Sequence, residues 1–205
     1  MFVEEAEWIQ SVLEVIPLFP ENNRVANLGS STKDFRTKVQ PHINTFVIEP
    51  LVLKGWNVVH VDYKAMNGVD LVADITKENF AKDLKNNFAL TICTNMLEHV
   101  ENIPLAIENV LSVTSKGGYI LLTVPYKYKL HYDPIDNGFR PTPEQIFELF
   151  PDLGVRKIES SIIAINDKKE YKIKKSHFPL WGFRERMKYY LGKRYKVSGI
   201  LLEKL

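Results

Sequence analysis

Three places along the chain carry residue types suited to holding a small polar ligand: the loop at residues 27–33 and two aspartates, Asp62 and Asp74, that each close a short apolar run. The loop reads NLGSSTK, so one glycine and two serines follow the strand-like run RVANL. Gly29 takes a positive φ without steric cost, and the small side chains after it leave the main chain open to a ligand. In doubly wound sheets ligands gather at the carboxyl ends of the strands, and the first strand supplies the crevice. A lone glycine serves an ordinary strand-to-helix turn equally well, because a partial glycine motif is weak. The aspartates tip the balance. A carboxylate at the tip of the second strand accepts from two vicinal ribose hydroxyls, and Asp74 is suited to accept from an exocyclic amine. Together they describe an adenosine pocket.

These residues need strands to hold them in one row, and the chain supplies strand and helix in alternation, the pattern of a parallel α/β sheet. Phe2, Ala6, Ile9, Val12, Leu13 and Ile16 recur at helical spacing opposite Glu4, Glu5, Glu7, Gln10 and Glu14, which predicts an amphipathic helix stopped by Pro17 and Pro20. Strands are predicted at residues 24–28, 56–61, 71–73, 88–94, 119–124, 155–165 and 195–203. Pro41, His42 and Asn44 predict a loop over residues 39–48, before a short helix at 49–54 with Pro50 in its first turn and Gly55 past its end. Thr76 predicts the cap of a helix carrying Phe80 and Leu84. Residues 102–114 predict an amphipathic helix with Gly117 and Gly118 as its stop. Thr142, Pro143 and Gln145 form a capping box for a helix ending by Pro151, and residues 180–191 predict another helix. No internal repeat or boundary interrupts this. The expectation is one doubly wound domain over residues 1–205, with 1–20 as the N-terminal helix. Residues 126–142 and 166–194 are candidate substrate-lid or surface insertions.

Composition narrows the field. A chain of 205 residues buries about 70% of its unfolded surface without staples. Cys93 is the only cysteine, which excludes an intrachain disulfide and makes a reducing, cytoplasmic location the expectation. Residues 1–14 are acidic and helix-patterned, unlike a secretory leader, and the apolar runs fall short of the ~20 residues of a membrane span. A net charge of +2 offers no global field for nucleic acid. Lysines and arginines do crowd residues 168–196 among aromatics, which suits a solvated face over packed rings and, alternatively, a single-strand nucleic-acid platform.

The pieces NLGSSTKDF, VVHVDY, LVADIT, TNMLEHV and KGGYILLTVP, in this order over roughly residues 24–125, resemble class I S-adenosylmethionine-dependent methyltransferases. LEHV at residues 97–100, followed by a Gly-Gly strand, resembles the small-molecule branch of that family, and HYDPIDNGFRPTPEQIFELF resembles its substrate-lid region. The resemblance implies a mostly parallel seven-stranded sheet with an antiparallel last strand, and S-adenosylmethionine as cofactor. It implies that Asn27, Gly29, Ser30 and Ser31 approach the methionine portion and that Asp62 holds the ribose. Asp74 with the backbone of Ile75 would read the adenine, and Asn95 and Met96 would lie beside the sulfonium. Glu98 and His99 match the motif, and burial or helix capping accounts for them as well as chemistry does. The loop departs from the family: Asn27, Gly29, Ser31 and Lys33 stand where it has an acidic residue and three glycines. Ser31 must then permit close approach, and Lys33 is placed to pair with the cofactor carboxylate.

Methyl transfer from a sulfonium asks the protein mainly for orientation and exclusion of water. For a hydroxyl nucleophile a base helps, and His131 is the candidate, with Asp133 and Asp136 to orient it. These three share no fixed helix or strand spacing, so no metal is expected. The leading expectation is methyl transfer to a small-molecule or glycan-type acceptor. The alternatives are a non-catalytic domain with an eroded loop and a nucleic-acid methyltransferase. The second lacks the Asn-Pro-Pro-aromatic or Asp-Pro-Pro-aromatic signature, since TNML stands there. A dehydrogenase is disfavoured because GSSTKD has no further glycine for a pyrophosphate.

Overall fold

The computed structural model describes residues 1–19, 21–80, 82, 84–131, 135–150, 154–171, 187 and 189–205. The apolar runs become β1 (Arg24–Leu28), β2 (Asn57–Asp62), β3 (Leu71–Val72), β4 (Phe88–Thr94), β5 (Thr114–Lys127), β6 (Val155–Ala164) and β7 (Lys196–Lys204). They form one seven-stranded sheet in the order β3-β2-β1-β4-β5-β7-β6. The pairs β2–β3, β1–β2, β1–β4 and β4–β5 are parallel, whereas β7 runs antiparallel to both β5 and β6. This is the expected doubly wound, mostly parallel sheet with an antiparallel last strand. β1 and β4 are buried almost throughout because helices cover both faces, which is why they read as continuous apolar runs.

On one face lie α1 (Val3–Glu14) and the helical region leading to α3 (Glu49–Leu53), where Ile9, Leu13, Val47 and Leu51 pack with Leu90, Ile92 and Leu121. On the other lies α4 (Ile103–Val113), where Ile107 and Val110 pack with Leu28, Cys93, Ile120 and Leu122. Asn102 caps α4 by accepting from the Leu105 N–H, and the expected capping box of Thr142 and Gln145 starts α5 (Pro143–Phe147). Among the described residues no helix is long and apolar enough to cross a membrane.

Three local expectations need correction. Residues 39–48 are helical instead of a loop: after a π-turn at Phe35–Val39, α2 (Pro41–Ile43) and a second π-turn at Asn44–Ile48 run directly into α3. Pro41 takes the first helical position, where its missing N–H costs nothing. Ahead of Pro50 the turn widens, and the Glu49 N–H bonds back to the Asn44 carbonyl. Where a helix is expected after Thr76, the described residues form a series of turns, because Thr76 donates its N–H and hydroxyl to Asp74 and does not act as a cap acceptor. Gly117 and Gly118 lie inside β5, at an irregularity in its pairing with β4, and do not separate helix from strand. The helix expected at residues 180–191 lies largely outside the described residues.

α1 is seated by shape as well as by apolar contact. Trp8 lies against Gly199 of β7 so closely that a Cβ there would run into the indole. Gly199→Val is therefore expected to displace α1 at a cost of about 1–3 kcal/mol, seen as a midpoint of thermal unfolding lower by roughly 3–10 °C. An unchanged midpoint would show that Trp8 moves aside freely.

Candidate active site

The loop after β1 is built from both ends. Gly29 turns with φ 66°, and Ser31 follows in the left-handed region at φ 57°, a conformation that costs a non-glycine residue about 1–3 kcal/mol. Two charged side chains hold it. The Ser31 N–H donates to Asp62 Oδ2 at 2.9 Å, and Arg36 Nη1 donates to the carbonyls of Ser30 at 2.9 Å and Ser31 at 2.6 Å. Arg36 Nη2 reaches the Gly68 carbonyl at 2.8 Å, joining the loop to the turn after β2. Arg36 is 4% exposed; burial lowers its pKa while Asp70 and Asp62 raise it, and a guanidinium stays charged. Close approach at the loop is literal: a Cβ on Gly29 would stand 3.0 Å from Met96 Sδ.

Behind the loop, Asn27 donates to His60 Nδ1 at 3.0 Å, so the proton of that imidazole sits on Nε2. Burial first, then Arg36, lowers the His60 pKa to about 4, with Asp70 opposing. The neighbouring strand ends are fixed in the same way. Asp74 Oδ1 accepts from the Thr76 N–H and hydroxyl, and Asn109 of α4 holds the Ile75 and Lys77 carbonyls at 2.7 and 3.0 Å. Asn95 is left-handed at φ 48°, and its amide donates to Glu5 Oε1 at 2.6 Å. Glu5, fully buried on α1, also accepts from Thr123 of β5 at 2.6 Å. The first helix therefore reaches across the carboxyl ends of the central strands.

A second group closes the other side. His99 Nδ1 lies 2.5 Å from the Ile135 carbonyl, and the rings of His99 and His131 meet edge to face with centroids 4.9 Å apart. His131 Nδ1 is 3.2 Å from Asp136 Oδ2, which Arg140 also holds at 2.6 Å. Burial raises the Asp136 carboxyl, but the hydrogen bonds from Arg140 and from the N–H groups of His131 and Gly138 outweigh it and keep it below the usual carboxylate range. Burial chiefly, then His99, lowers the His131 pKa. Glu98 has no exposed surface, and among the described residues no other residue hydrogen-bonds to either of its oxygens; burial pushes its carboxyl up to about 8, aided by Glu5 and Asp136 and opposed by its own backbone N–H and Arg140.

Ten of the expected site residues line one cleft of about 990 Å³: Asn27, Gly29, Ser30, Ser31, Asp62, Asp74, Ile75, Asn95, Met96 and His131. His99, Tyr128 and Phe2 line it as well. Asp133 lies outside the described residues, as does most of the basic tract. Lys33 is exposed and does not line the cleft. Sequence reasoning missed Arg36, Asn109 and Glu5. Glu5 stands 90 and 118 residues from its partners and read only as the polar side of a surface helix.

A cleft at the carboxyl ends of the parallel strands, on a sheet of this order, is that of the Rossmann-like methyltransferase fold. A family model described as "Methyltransferase domain" matches residues 4–159, and the chain belongs to that family. Among solved structures it is similar to coclaurine N-methyltransferase bound to N-methylheliamine and SAH, with TM-score 0.61 and 16% identity over 98% of this chain and 70% of that one. A SAM-dependent methyltransferase from Archaeoglobus fulgidus gives TM-score 0.59 and 16% identity, covering 97% and 94%. At such identities these likenesses speak to the fold alone. A curated relative, "Probable polyketide synthase 27" of Dictyostelium discoideum, is 26% identical over 109 residues, or 51% of this chain; the match spans only 4% of that protein.

Two outcomes follow. Arg36→Met leaves the Ser30, Ser31 and Gly68 carbonyls without their donor and is expected to lower the unfolding midpoint by about 5 °C or more, whereas wild-type stability in that variant would show that the loop holds itself. His60 binds a proton more weakly folded than unfolded, so its contribution is intact above pH ~6.5 and is lost as pH falls toward 4. Denaturant titrations between those pH values are expected to show a decline that His60→Gln reduces.

Proposed function

We propose that the chain transfers the methyl group of S-adenosylmethionine to a small-molecule acceptor, glycan-type acceptors included. The observation that carries this reading is the row formed by Gly29–Ser31, Asp62 and Asp74 at the ends of three adjacent parallel strands, all opening on one cleft. The cofactor is S-adenosylmethionine, whose sulfonium supplies a methyl group already activated toward a nucleophile. The residues suit it. Asp62 accepts one hydrogen bond on each oxygen, from the Ser31 and Lys64 N–H groups, and a carboxylate keeps further lone pairs for a ribose diol. Asp74 Oδ2 makes no hydrogen bond among the described residues and has Lys77 4.0 Å away, which leaves it open to an adenine amino group. Ala73, Ile75, Phe80 and Val100 line the same cleft and offer apolar surface to a flat base.

The loss of two family glycines does not weigh toward a non-catalytic domain, because Arg36 and Asp62 hold Ser31 in the backbone conformation a glycine would adopt. At the far end, His99 and His131 are the groups able to take up a proton or to ligate, beside Tyr128 and Phe2. The acceptor is oriented there, against the methyl group and away from water.

Isothermal titration of the folded chain with S-adenosylhomocysteine is expected to give saturable one-site binding. Asp62→Ala and Gly29→Val are each expected to weaken it on the order of tenfold or more. No binding to folded protein overturns the cofactor reading, and undiminished affinity in Asp62→Ala overturns the placement of the ribose.

A further inference from the structure

A second feature of the cleft is independent of the cofactor loop. Glu98 is fully buried, yet no other described residue hydrogen-bonds to either carboxylate oxygen, and a buried carboxylate with so little compensation is costly to keep. Its surroundings worsen the balance. Glu5 and Asp136, both acidic, act on it alongside one guanidinium, that of Arg140. What faces Glu98 instead is a pair of imidazoles: one ligand atom from each of Glu98, His99 and His131 lies within 4.8 Å of the other two.

From this convergence we infer that Glu98, His99 and His131 bind a divalent transition-metal cation at the acceptor end of the cleft. Two imidazoles and one carboxylate are the donor set that zinc and other borderline first-row ions take, with positions left open for a further ligand. For His99 the outer contact is the one a ligating histidine needs. His99 Nδ1 stands 2.5 Å from the Ile135 carbonyl, which fixes the proton there and leaves Nε2, 3.8 Å from Glu98 Oε1, as the bare nitrogen. Asp136, itself anchored by Arg140, receives the His131 backbone N–H at 2.8 Å and so fixes the main chain that carries the second imidazole. The cation compensates the buried charge of Glu98. His131 then serves as a ligand in place of the general base anticipated from sequence. His99 and His131 line the cleft, so an open coordination position faces the space assigned to the acceptor. That last point rests on the methyltransferase reading, and the binding of the ion does not. An oxygen of the acceptor would complete the coordination.

The test uses the whole chain, stripped with a chelator and dialysed, titrated with Zn(II) in a calorimeter and with Co(II) by visible absorption. The expected result is one ion per chain, a Co(II) spectrum of low coordination number, and a thermal midpoint raised by Zn(II). Glu98→Gln and His131→Ala are each expected to weaken Zn(II) binding on the order of tenfold or more and to abolish the ion-induced rise, with far-UV circular dichroism confirming that they fold. Should a variant fail to fold, His99→Gln takes its place in the same titration. A folded wild type that binds neither ion saturably overturns the site and leaves Glu98 neutralised by a proton; affinity equal to wild type in folded Glu98→Gln or His131→Ala overturns it also. Titration with S-adenosylhomocysteine in the presence of chelator separates this from the cofactor reading, because that binding needs no ion.

Discussion

The site depends on one serine held in a conformation serine does not favour. Left-handed Ser31 costs about 1–3 kcal/mol, and each charge-assisted hydrogen bond on its peptide groups contributes about 1.5–3 kcal/mol. Asp62 takes its N–H and Arg36 its carbonyl, so the balance favours the bent loop over a relaxed one. Arg36 also ties the loop to the turn after β2 through the Gly68 carbonyl, and the loop is shaped before any ligand arrives. Chemistry that a glycine-rich loop obtains from backbone freedom is obtained here from ion-dipole contacts.

The opposite wall follows a different logic. There the fold buries three acidic side chains, Glu5, Glu98 and Asp136, near the ends of β4 and β5. Glu5 is satisfied by Asn95, Thr123 and the Phe2 N–H, and Asp136 by Arg140 and backbone donors. Glu98 alone of the three accepts no hydrogen bond from another described residue, and the two imidazoles beside it make that vacancy in the charge balance chemically specific. Preorganised loop and unbalanced wall face each other across one cleft, as methyl transfer requires of a site that must hold two partners in line.

Much of this was readable beforehand, for reasons that have limits. β1 and β4 were legible because burial on both faces leaves mostly apolar residues, and Asp62 and Asp74 because each ends a short, mostly apolar run. Residues 39–48 were not, because Pro41 and Asn44 signal a break while a π-turn and an N-terminal proline absorb both. Thr76 looks like a cap in sequence, yet whether its hydroxyl donates or accepts is decided by Asp74 in space. Arg36 and Glu5 are invisible to periodicity: one sits among surface charges in a helical stretch and the other on the acidic side of α1, and only the tertiary fold brings them to the Ser31 carbonyl and to Asn95 and Thr123. Long-range partners of single charged residues carry no local pattern.

The central claim is that this loop and these two aspartates form a ready-made seat for the cofactor. A crystal structure of the chain grown with S-adenosylhomocysteine tests it most directly. The account predicts the ribose hydroxyls on Asp62, the adenine beside Asp74 and Ile75, and the Ser31 backbone unmoved with Arg36 still on its carbonyl. A ligand bound elsewhere, or a loop that must refold to admit it, would contradict the account.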